Sequence, residues 1–257
     1  MGFKKERIAY QTIVVAELKR IMRIWSQTLL PPAITSILYF VIFGRVVGTK
    51  VGFIEGYKYI QFIAPGLIMM NIITSSYASV VSAFFGAKFQ RHIEEILVSP
   101  ISSLTILLGF MSSGLVRGII VGMIVSIVAL FFTHLHIHSL ITVLIAAFLA
   151  SSIFSLAGLI NAIYAKSFDD ISIVPTFILT PLTYLGGVFY SISLLPSIWQ
   201  YISYLNPISY IVDNFRYGFL GVMSSRLTLS YFLMSTFVII LFGITYLFIK
   251  KGVGLRN

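Results

Sequence analysis

Charged side chains are scarce in this chain, in which 58% of the residues are apolar and 10% are charged, and one stretch concentrates them. Its four charges recur at helical spacing: Lys88, Arg91, Glu94 and Glu95. Apolar residues with the same period lie between them: Phe89, Ile93, Ile96 and Leu97. The pattern predicts one short helix, charged on one side and apolar on the other, which Pro100 ends. Such a helix, between two long apolar runs, either packs on its own bundle or docks a soluble partner.

Three alternate histidines form a second candidate group. His134, His136 and His138 have the spacing to converge on a metal from an extended segment. No carboxylate supports them nearby, so we expect interfacial imidazoles and no metal site.

Two adjacent carboxylates, Asp169 and Asp170, have the chemistry of a metal or acid–base pair. They also stand directly before a long apolar run. We therefore expect one of them to cap a helix that begins at Ile171.

The sequence offers no enzyme site. It has no cysteine, and hence no thiolate nucleophile or thiolate metal ligand. Residues 44–50 contain glycines and a lysine, but not at the spacing of a phosphate-binding loop. No set of nucleophile, base and oxyanion donors is evident. We predict no catalytic residue, no cofactor bound by this chain and no nucleotide hydrolysis by the chain alone.

Six apolar runs are each long enough to cross a bilayer as a helix, which takes about 20 residues. They cover residues 28–47, 59–85, 104–132, 140–164, 171–190 and 227–249. Continuous runs exclude a barrel, whose strands would alternate. The basic start of the chain is followed by polar residues, so we expect no cleavable signal peptide. The fold class is predicted as an all-α membrane protein with six transmembrane helices.

Positive charge predicts the orientation. With a cytoplasmic amino terminus, twelve cations fall inside: Lys4, Lys5, Arg7, Lys19, Arg20, Arg23, Lys88, Arg91, Lys166, Lys250, Lys251 and Arg256. Five fall outside: Arg45, Lys50, Lys58, Arg216 and Arg226. Both termini are therefore predicted to be cytoplasmic. The net charge of +10 is explained by this topology and by anionic headgroups, so nucleic-acid binding is rejected.

Residues 6–25 predict an amphipathic helix that lies in the cytoplasmic interface. Its cations gather on one side: Lys19, Arg20 and Arg23. Its apolar side is formed by Tyr10, Val14, Leu18, Ile21 and Trp25. We divide the chain into this cytoplasmic helix, residues 1–25, and a transmembrane domain, residues 26–257.

The fifth apolar run is interrupted by Pro175, Pro181, Gly186 and Gly187. Broken helix at membrane depth is stable where protein buries it or where it lines a cavity. Residues 191–226 then form a segment that is too apolar for a free loop but lacks a continuous apolar run long enough for a further span.

We predict that this segment is a re-entrant pair of short helices in the outer leaflet. The pair bends at Asn206-Pro207, and Asp213 pairs with Arg216 across one turn. Arg117 is the obvious charge inside a span, about half-way along it, and we expect a structural pairing role rather than substrate contact. The sequence does not identify its acidic partner, for which Glu94 and Glu95 are candidates.

Taken together, these features resemble the permease subunit of an ABC-2 type ATP-binding-cassette exporter. The resemblance covers essentially the whole chain. The chain is similar to inner-membrane permeases of Gram-negative bacteria. It is carried by KFQRHIEEIL at residues 88–97, FDDIS at 168–172, PLTYLGGVFY at 181–190 and NPISY at 206–210.

The resemblance implies a dimer of this chain, in the inner membrane, bound to two copies of a separate ATPase that carries ATP and Mg. It implies that the helix around residues 88–98 couples to that ATPase through Lys88, Arg91, Glu94, Glu95 and Leu97. It implies an outer gate formed by Pro181, Gly186, Gly187, Asn206 and Pro207. The candidate substrate path contains Thr180, Thr183, Tyr184, Phe189 and Tyr190. Relatives export lipid-linked glycans, drugs or other amphipathic molecules, and the sequence does not discriminate among these.

Two other classes remain as alternatives. A self-contained secondary transporter driven by an ion gradient needs a charged coupling site at mid-membrane, and an internal repeat would support it. Arg117 is the obvious charge there, and we find no strong repeat. A membrane scaffold without transport activity would leave the broken fifth span unexplained.

Overall fold

The computed structural model describes residues 3–222 and 227–254, which are helical almost throughout. The helices are α1 Phe3–Arg23, α2 Trp25–Thr28, α3 Leu30–Tyr39, α4 Gly48–Val51, α5 Tyr59–Phe89, α6 His92–Val98, α7 Ser103–Leu130, α8 Leu140–Tyr164, α9 Phe168–Ile173, α10 Thr180–Leu185, α11 Ser197–Leu205, α12 Pro207–Leu220 and α13 Leu227–Lys251. Two π-helical segments, Phe40–Val47 and Val174–Leu179, and one 3₁₀ turn, Ile192–Leu194, join them. A short hairpin pairs β1 Phe53–Ile54 antiparallel with β2 Tyr57–Lys58.

Among the described residues, five helical segments are long and apolar enough to cross a membrane. They are Trp25–Val51, Tyr59–Phe89, Ser103–Leu130, Leu140–Tyr164 and Leu227–Lys251. The prediction of an all-α membrane protein is confirmed. The sixth predicted span, residues 171–190, is not among these five, and the helix there ends at Leu185. A sixth crossing therefore stays a prediction, and Arg226 and Arg256 lie outside the described residues.

The predicted interruption of the fifth apolar run takes two forms. Pro181 has no N–H to donate, and the helix before it widens into the π-helical segment Val174–Leu179. The Thr180 hydroxyl donates to the Pro175 carbonyl five residues back at 2.8 Å, as a widened turn allows. The helix ends at Leu185, and the next two residues are the glycines of the predicted break.

The long helix α5 forms the centre of the bundle. It is flanked by α7 and α8, and most of its apolar stretch is buried. At 1.5 Å per residue its 31 residues extend about 46 Å, which exceeds the roughly 30 Å hydrocarbon core. Its length is therefore sufficient for both ends to reach beyond the hydrocarbon. The Tyr59 end, which is predicted to be outer, follows the β1–β2 hairpin, and the Phe89 end, which is predicted to be cytoplasmic, is followed by the loop helix α6.

Small residues allow α5 to approach its neighbours closely, which is the usual way helices associate in lipid. A Cβ atom at Gly114 of α7 would lie 2.9 Å from the Ser76 carbonyl oxygen of α5 and 2.1 Å from Ser155 Oγ of α8. A Cβ atom at Gly158 of α8 would lie 2.8 Å from the Tyr77 carbonyl oxygen. The three helices are thus packed to backbone contact.

The amino-terminal helix α1 packs along the first half of α7. The Glu6 carboxylate accepts hydrogen bonds from Ser102 N at 3.1 Å and from the Ser102 and Thr105 hydroxyls, so it caps the start of α7. Tyr10 Oη and Ser112 Oγ are hydrogen-bonded at 2.8 Å. The predicted helix is confirmed, with a start at Phe3, and these contacts tie it to the bundle.

One residue of α1 lies on the opposite side from that predicted. Arg20 faces the bundle, where it pairs with Glu17 at 2.8 Å and donates to the Ser79 carbonyl at 3.2 Å. Lys19 and Arg23 are exposed, as expected. The sequence pattern failed at Arg20 because its long side chain reaches carbonyl groups of α5 that no local period reveals.

Replacing Gly114 tests the close packing of the bundle. Gly114→Ala places a methyl group against the α5 backbone and should cost about 1–3 kcal/mol of the free energy of unfolding. Gly243→Ala is the matched control, since a Cβ atom there meets nothing within 4 Å. Thermal unfolding in detergent should show a lower Tm for the first variant alone, and equal values would contradict the packing.

The cap by Glu6 should depend on pH. Hydrogen bonds from the Thr105 hydroxyl and from Ser102 lower the pKa of Glu6. A lowered folded-state pKa gives stabilisation that is complete above the usual value of about 4.3 and is lost as pH falls through the lowered value. Glu6→Gln should therefore lower Tm at pH 7 and lose that effect near pH 3. Glu95→Gln, at an exposed site, should have no effect at either pH.

Candidate functional site

The charged stretch of residues 88–97 is not one helix. The central helix α5 continues to Phe89, and the chain then turns through Arg91, whose φ of 62° is left-handed. The loop helix α6 starts only at His92 and ends at Val98, before Pro100 as predicted. The prediction of a single helix from Lys88 was wrong, because helical spacing does not reveal a turn made by a non-glycine residue in a left-handed conformation.

The turn changes which residues of the stretch face the solvent. Ile93 is 1% exposed and anchors α6 on the cytoplasmic core, and Leu97 is partly buried beside it. Glu94 and Glu95 are exposed, and Val98 is 86% exposed at the end of the helix. The solvent-exposed surface of α6 therefore carries two carboxylates next to an apolar side chain, and a buried isoleucine anchors the helix.

Lys88 points into the bundle and not along α6. Its ammonium group donates to the Ile163 carbonyl at 2.6 Å and to the Ala165 carbonyl at 2.8 Å. These carbonyls close the carboxyl end of α8, where a cation is favourable. Lys88 thus joins the ends of α5 and α8, and it lines the same cavity as Arg91 and Glu94.

The turn between α8 and α9 is held by a capping box. Ser167 is the N-cap: its hydroxyl accepts from Asp170 N at 3.2 Å, and the Asp170 carboxylate accepts from Ser167 N at 3.0 Å. A third bond, from Lys166 N at 2.8 Å, is the main cause that lowers the pKa of Asp170. Capping is confirmed for Asp170, but the helix begins three residues earlier than predicted, at Phe168.

The outer mouth of the bundle is built around the turn that follows α10. Gly187 has a φ of 74°, which favours glycine. The next residue, Val188, lies against the central helix, where a Cβ atom at Gly66 would be 2.5 Å from the Val188 carbonyl oxygen. A Cβ atom at Gly186 would be 2.8 Å from Ile208 of α12. The glycines of the predicted gate therefore lie in the turn that contacts both α5 and α12.

Asn206 joins the two short helices to this turn. It is 2% exposed, its Oδ1 accepts from Ile208 N at 3.0 Å, and its Nδ2 donates to the Leu182 carbonyl at 2.6 Å. Pro207 is the first residue of α12, where its missing N–H costs nothing. The predicted bend at Asn206-Pro207 is confirmed as the junction of α11 and α12.

Arg216 joins three elements of the mouth predicted to be outer, a set of contacts that the sequence did not reveal. Its side chain is buried and lies 3.6 Å from Asp213, so the predicted pair is confirmed. It also donates to the Gly187 carbonyl at 2.6 Å and to the Phe62 carbonyl at 3.3 Å, and it stacks over the Phe62 ring at 4.0 Å. One guanidinium group thus ties α12 to the turn and to the central helix.

The candidate path residues fall into two groups. Tyr184, Phe189 and Tyr190 come together: the Tyr190 hydroxyl donates to the Tyr184 carbonyl at 2.9 Å, and the rings of Tyr184 and Phe189 are 5.8 Å apart. Thr183 is buried and donates to its own helix, while Thr180 is exposed.

First-span aromatics that the sequence reasoning missed complete this cluster. Phe43 lies 4.9 Å and Tyr39 lies 5.6 Å from Phe189, centroid to centroid. Glu55, in the turn of the β1–β2 hairpin, accepts from the Ser191 hydroxyl at 2.6 Å. Long-range contacts of this kind leave no local sequence signal.

Arg117 does not pair with Glu94 or Glu95, which lie on α6. Among the described residues it forms no ion pair, and its Nη2 is 3.4 Å from the Thr28 carbonyl. Its neighbour Gly118 packs against Ser76 of α5. Arg117 is the fifteenth of the 28 residues of α7, so the prediction that it lies about half-way along its span is confirmed.

The three loop histidines are exposed and do not form a metal site in the described part of the chain. His138 N donates to the Phe219 carbonyl at 3.2 Å, and its ring meets the edge of Tyr217. The loop is therefore tied by His138 to the end of α12.

Comparison with known proteins identifies the family. The sequence matches the ABC-2 type transporter family over residues 8–220. The chain belongs to that family. The match includes both the cytoplasmic helix α6 and the outer mouth, and the resemblance inferred from the motifs is confirmed.

This ABC-2 permease is similar to the inner membrane transport permease YadH of Escherichia coli strain K12. The two are 50% identical over 250 residues, which cover 97% of this chain and 98% of the relative. It is also similar to nodulation protein J of Rhizobium leguminosarum bv. viciae, with 23% identity over 216 residues, 84% of this chain and 83% of the relative. With its apolar helices, the chain is a multi-pass inner-membrane transport permease subunit.

Replacing Arg216 should loosen the outer mouth of this ABC-2 permease. Arg216→Met removes hydrogen bonds from a charged donor, worth about 1.5–3 kcal/mol each, and should lower Tm. It should also raise labelling of a cysteine at Ser209, which is 3% exposed, by a membrane-impermeant thiol reagent. Arg45→Met, at an exposed arginine of the same end, is the control. Unchanged labelling at Ser209 would contradict this role of Arg216.

Replacing Gly66 tests the same mouth from α5. Gly66→Ala puts a methyl group against the Val188 backbone and should displace the turn, with a cost of about 1–3 kcal/mol. Gly86→Ala, near the other end of α5, meets nothing within 4 Å and is the control. Labelling at Ser209 should rise for Gly66→Ala alone.

Proposed function

We propose that this permease is the membrane subunit of an ATP-driven exporter and forms the substrate path as a dimer. Family membership implies, in general, a partnering ATPase subunit. The observation that carries the proposal is the surface of α6, where exposed Glu94 and Glu95 project from a helix anchored by buried Ile93. A rigid, charged helix at the cytoplasmic end is suited to receive force from a soluble partner.

In this proposal both termini are cytoplasmic and the chain crosses the membrane six times. The apolar run of residues 171–190 forms the fifth crossing, with its helix ending at Leu185, and α11 and α12 form the re-entrant pair of the outer leaflet. The orientation is supported by the excess of Lys and Arg in the inner segments and by exposed Lys250 and Lys251 at the end of α13.

The dimer is supported by the position of the candidate path residues. Thr180, Pro181 and Tyr184 are exposed on the outside of this chain's bundle, and Phe177 is 72% exposed on the same segment. A path lined by these residues is closed only when a second copy faces them. The coupling residues in this proposal are Arg91, Glu94 and Glu95, with Lys88 and Leu97 supporting α6 from the bundle side.

The outer mouth acts as the gate in this scheme. At rest Arg216 and Asn206 hold the turn around Gly186 and Gly187 closed, and the cycle of the ATPase displaces it. ATP and Mg bind on the partner, and the class of exported molecule is left open between lipid-linked glycans, drugs and other amphiphiles.

Reversing the charge of α6 tests the coupling. Glu94→Lys with Glu95→Lys should weaken co-purification with the ATPase encoded beside this gene, or uncouple its ATP hydrolysis from transport, while membrane insertion stays normal. Asp169→Lys is the control, because Asp169 is an exposed carboxylate on the neighbouring cytoplasmic turn. Normal assembly and normal cargo-stimulated hydrolysis in the double variant would refute the role of α6.

The gate is tested by labelling from outside. Single cysteines at Ser203, Asn206 and Ser209 replace side chains that are 0–3% exposed, so the resting chain should react slowly. Trapping nucleotide on the partner should change the labelling rate several-fold. Reaction from the cytoplasm alone would overturn the topology, and a rate indifferent to nucleotide would remove the gate.

A further inference from the structure

In the orientation proposed above, the cytoplasmic end of the bundle contains a cavity of about 610 Å³ to which the transport proposal assigns no ligand. It lies behind α6, between the ends of α5 and α8. Three cations, Lys88, Arg91 and Lys166, and one carboxylate, Glu94, line it. The cavity is therefore electropositive and open to an anionic group of moderate size.

The three cations differ in how many of their donors are already used within the protein. Lys88 donates two of its three N–H bonds to carbonyls at the end of α8, which fixes its ammonium group at the cavity wall. Arg91 occupies the left-handed turn between α5 and α6, and Lys166 lies in the turn after α8. Within the described residues, the side chains of Arg91 and Lys166 form no ion pair. Their donors remain available to a ligand.

The remaining wall of the cavity combines Ile93, Ala165 and Gly254 with three aromatic residues. Phe85, Phe89 and Tyr164 line it, and Phe168 meets the rings of Phe85 and Phe89 at 5.1 Å and 4.9 Å. Phe89 is 61% and Phe168 is 56% exposed. Exposed rings beside cations, at the end of membrane-spanning helices, match the headgroup level of a bilayer better than a water-filled protein surface.

We propose that this cavity binds the phosphate headgroup of an anionic phospholipid from the cytoplasmic leaflet. The cations bind the phosphate oxygens with charge-assisted hydrogen bonds, and the aromatic rings contact the glycerol and the start of the acyl chains. Basic pockets between transmembrane helices on this side of the membrane suit such headgroups. The bound lipid fills the space behind α6 and fixes the position of that helix, whether or not an ATPase is present.

The test uses the purified full-length chain in nanodiscs. Phosphatidylglycerol in a phosphatidylcholine background should be retained in native mass spectra and should raise Tm, while phosphatidylcholine alone should do neither. Lys166→Gln should weaken phosphatidylglycerol binding about fivefold, the factor expected for one cation near a membrane surface. Lys250→Gln, an exposed lysine at the same end but outside the cavity, should leave it unchanged. Lys88→Met should weaken phosphatidylglycerol binding further if that variant folds. If it does not fold, Lys166→Gln still tests the site, because the Lys166 side chain does not hold the end of a helix.

A control with inorganic phosphate distinguishes a lipid headgroup from free phosphate, since both present phosphate oxygens to the cations. No effect of millimolar phosphate on Tm, beside a clear effect of phosphatidylglycerol, supports a lipid site. An equal effect of free phosphate overturns the lipid assignment, and so does equal binding by Lys166→Gln and Lys250→Gln. If Lys166→Gln leaves lipid binding intact and lowers only co-purification with the ATPase, the cavity is a protein-docking surface and the lipid proposal is wrong. That result would not contradict the proposed role of α6 in coupling.

Discussion

The backbone-close packing of α5 against α7 and α8 is the contact on which the rest of the structure depends. In lipid, no hydrophobic force brings apolar helices together, so close approach at small residues must supply the attraction. Gly114 and Gly158 allow that approach. Because α5 is held along its length, groups at its two ends are fixed relative to one another. The other elements are attached to these ends.

The two ends of α5 carry the two candidate functional regions. At the outer end, the Phe62 carbonyl accepts from Arg216, and the Tyr59 hydroxyl donates to the Phe189 carbonyl at 3.0 Å. At the inner end, Lys88 binds the end of α8, and α6 follows directly. A rigid helix of about 46 Å between the two regions gives the proposed coupling a physical route from the cytoplasm to the outer mouth.

Prediction from sequence succeeded where the signal is local. Continuous apolar runs located the five helical segments that are long and apolar enough to cross a membrane. Asn206-Pro207 located the junction of α11 and α12, and three-residue spacing paired Asp213 with Arg216. It failed at residues 88–97, where a left-handed Arg91 divides one expected helix into two. Periodicity averages over a window and does not register a single residue outside the helical region.

The sequence by itself determined the class of the protein, its membrane-spanning runs, its family and the breaks in the fifth run, because these depend on composition and on short-range backbone preferences. Only the tertiary structure decided what the charged residues do. It buried Arg216 against the Gly187 carbonyl, turned Lys88 onto the end of α8 and left Glu94 and Glu95 exposed on α6. The reason is that a cation in a low-dielectric setting is placed by the carbonyl and carboxylate groups that surround it, and these come from parts of the chain far away in sequence.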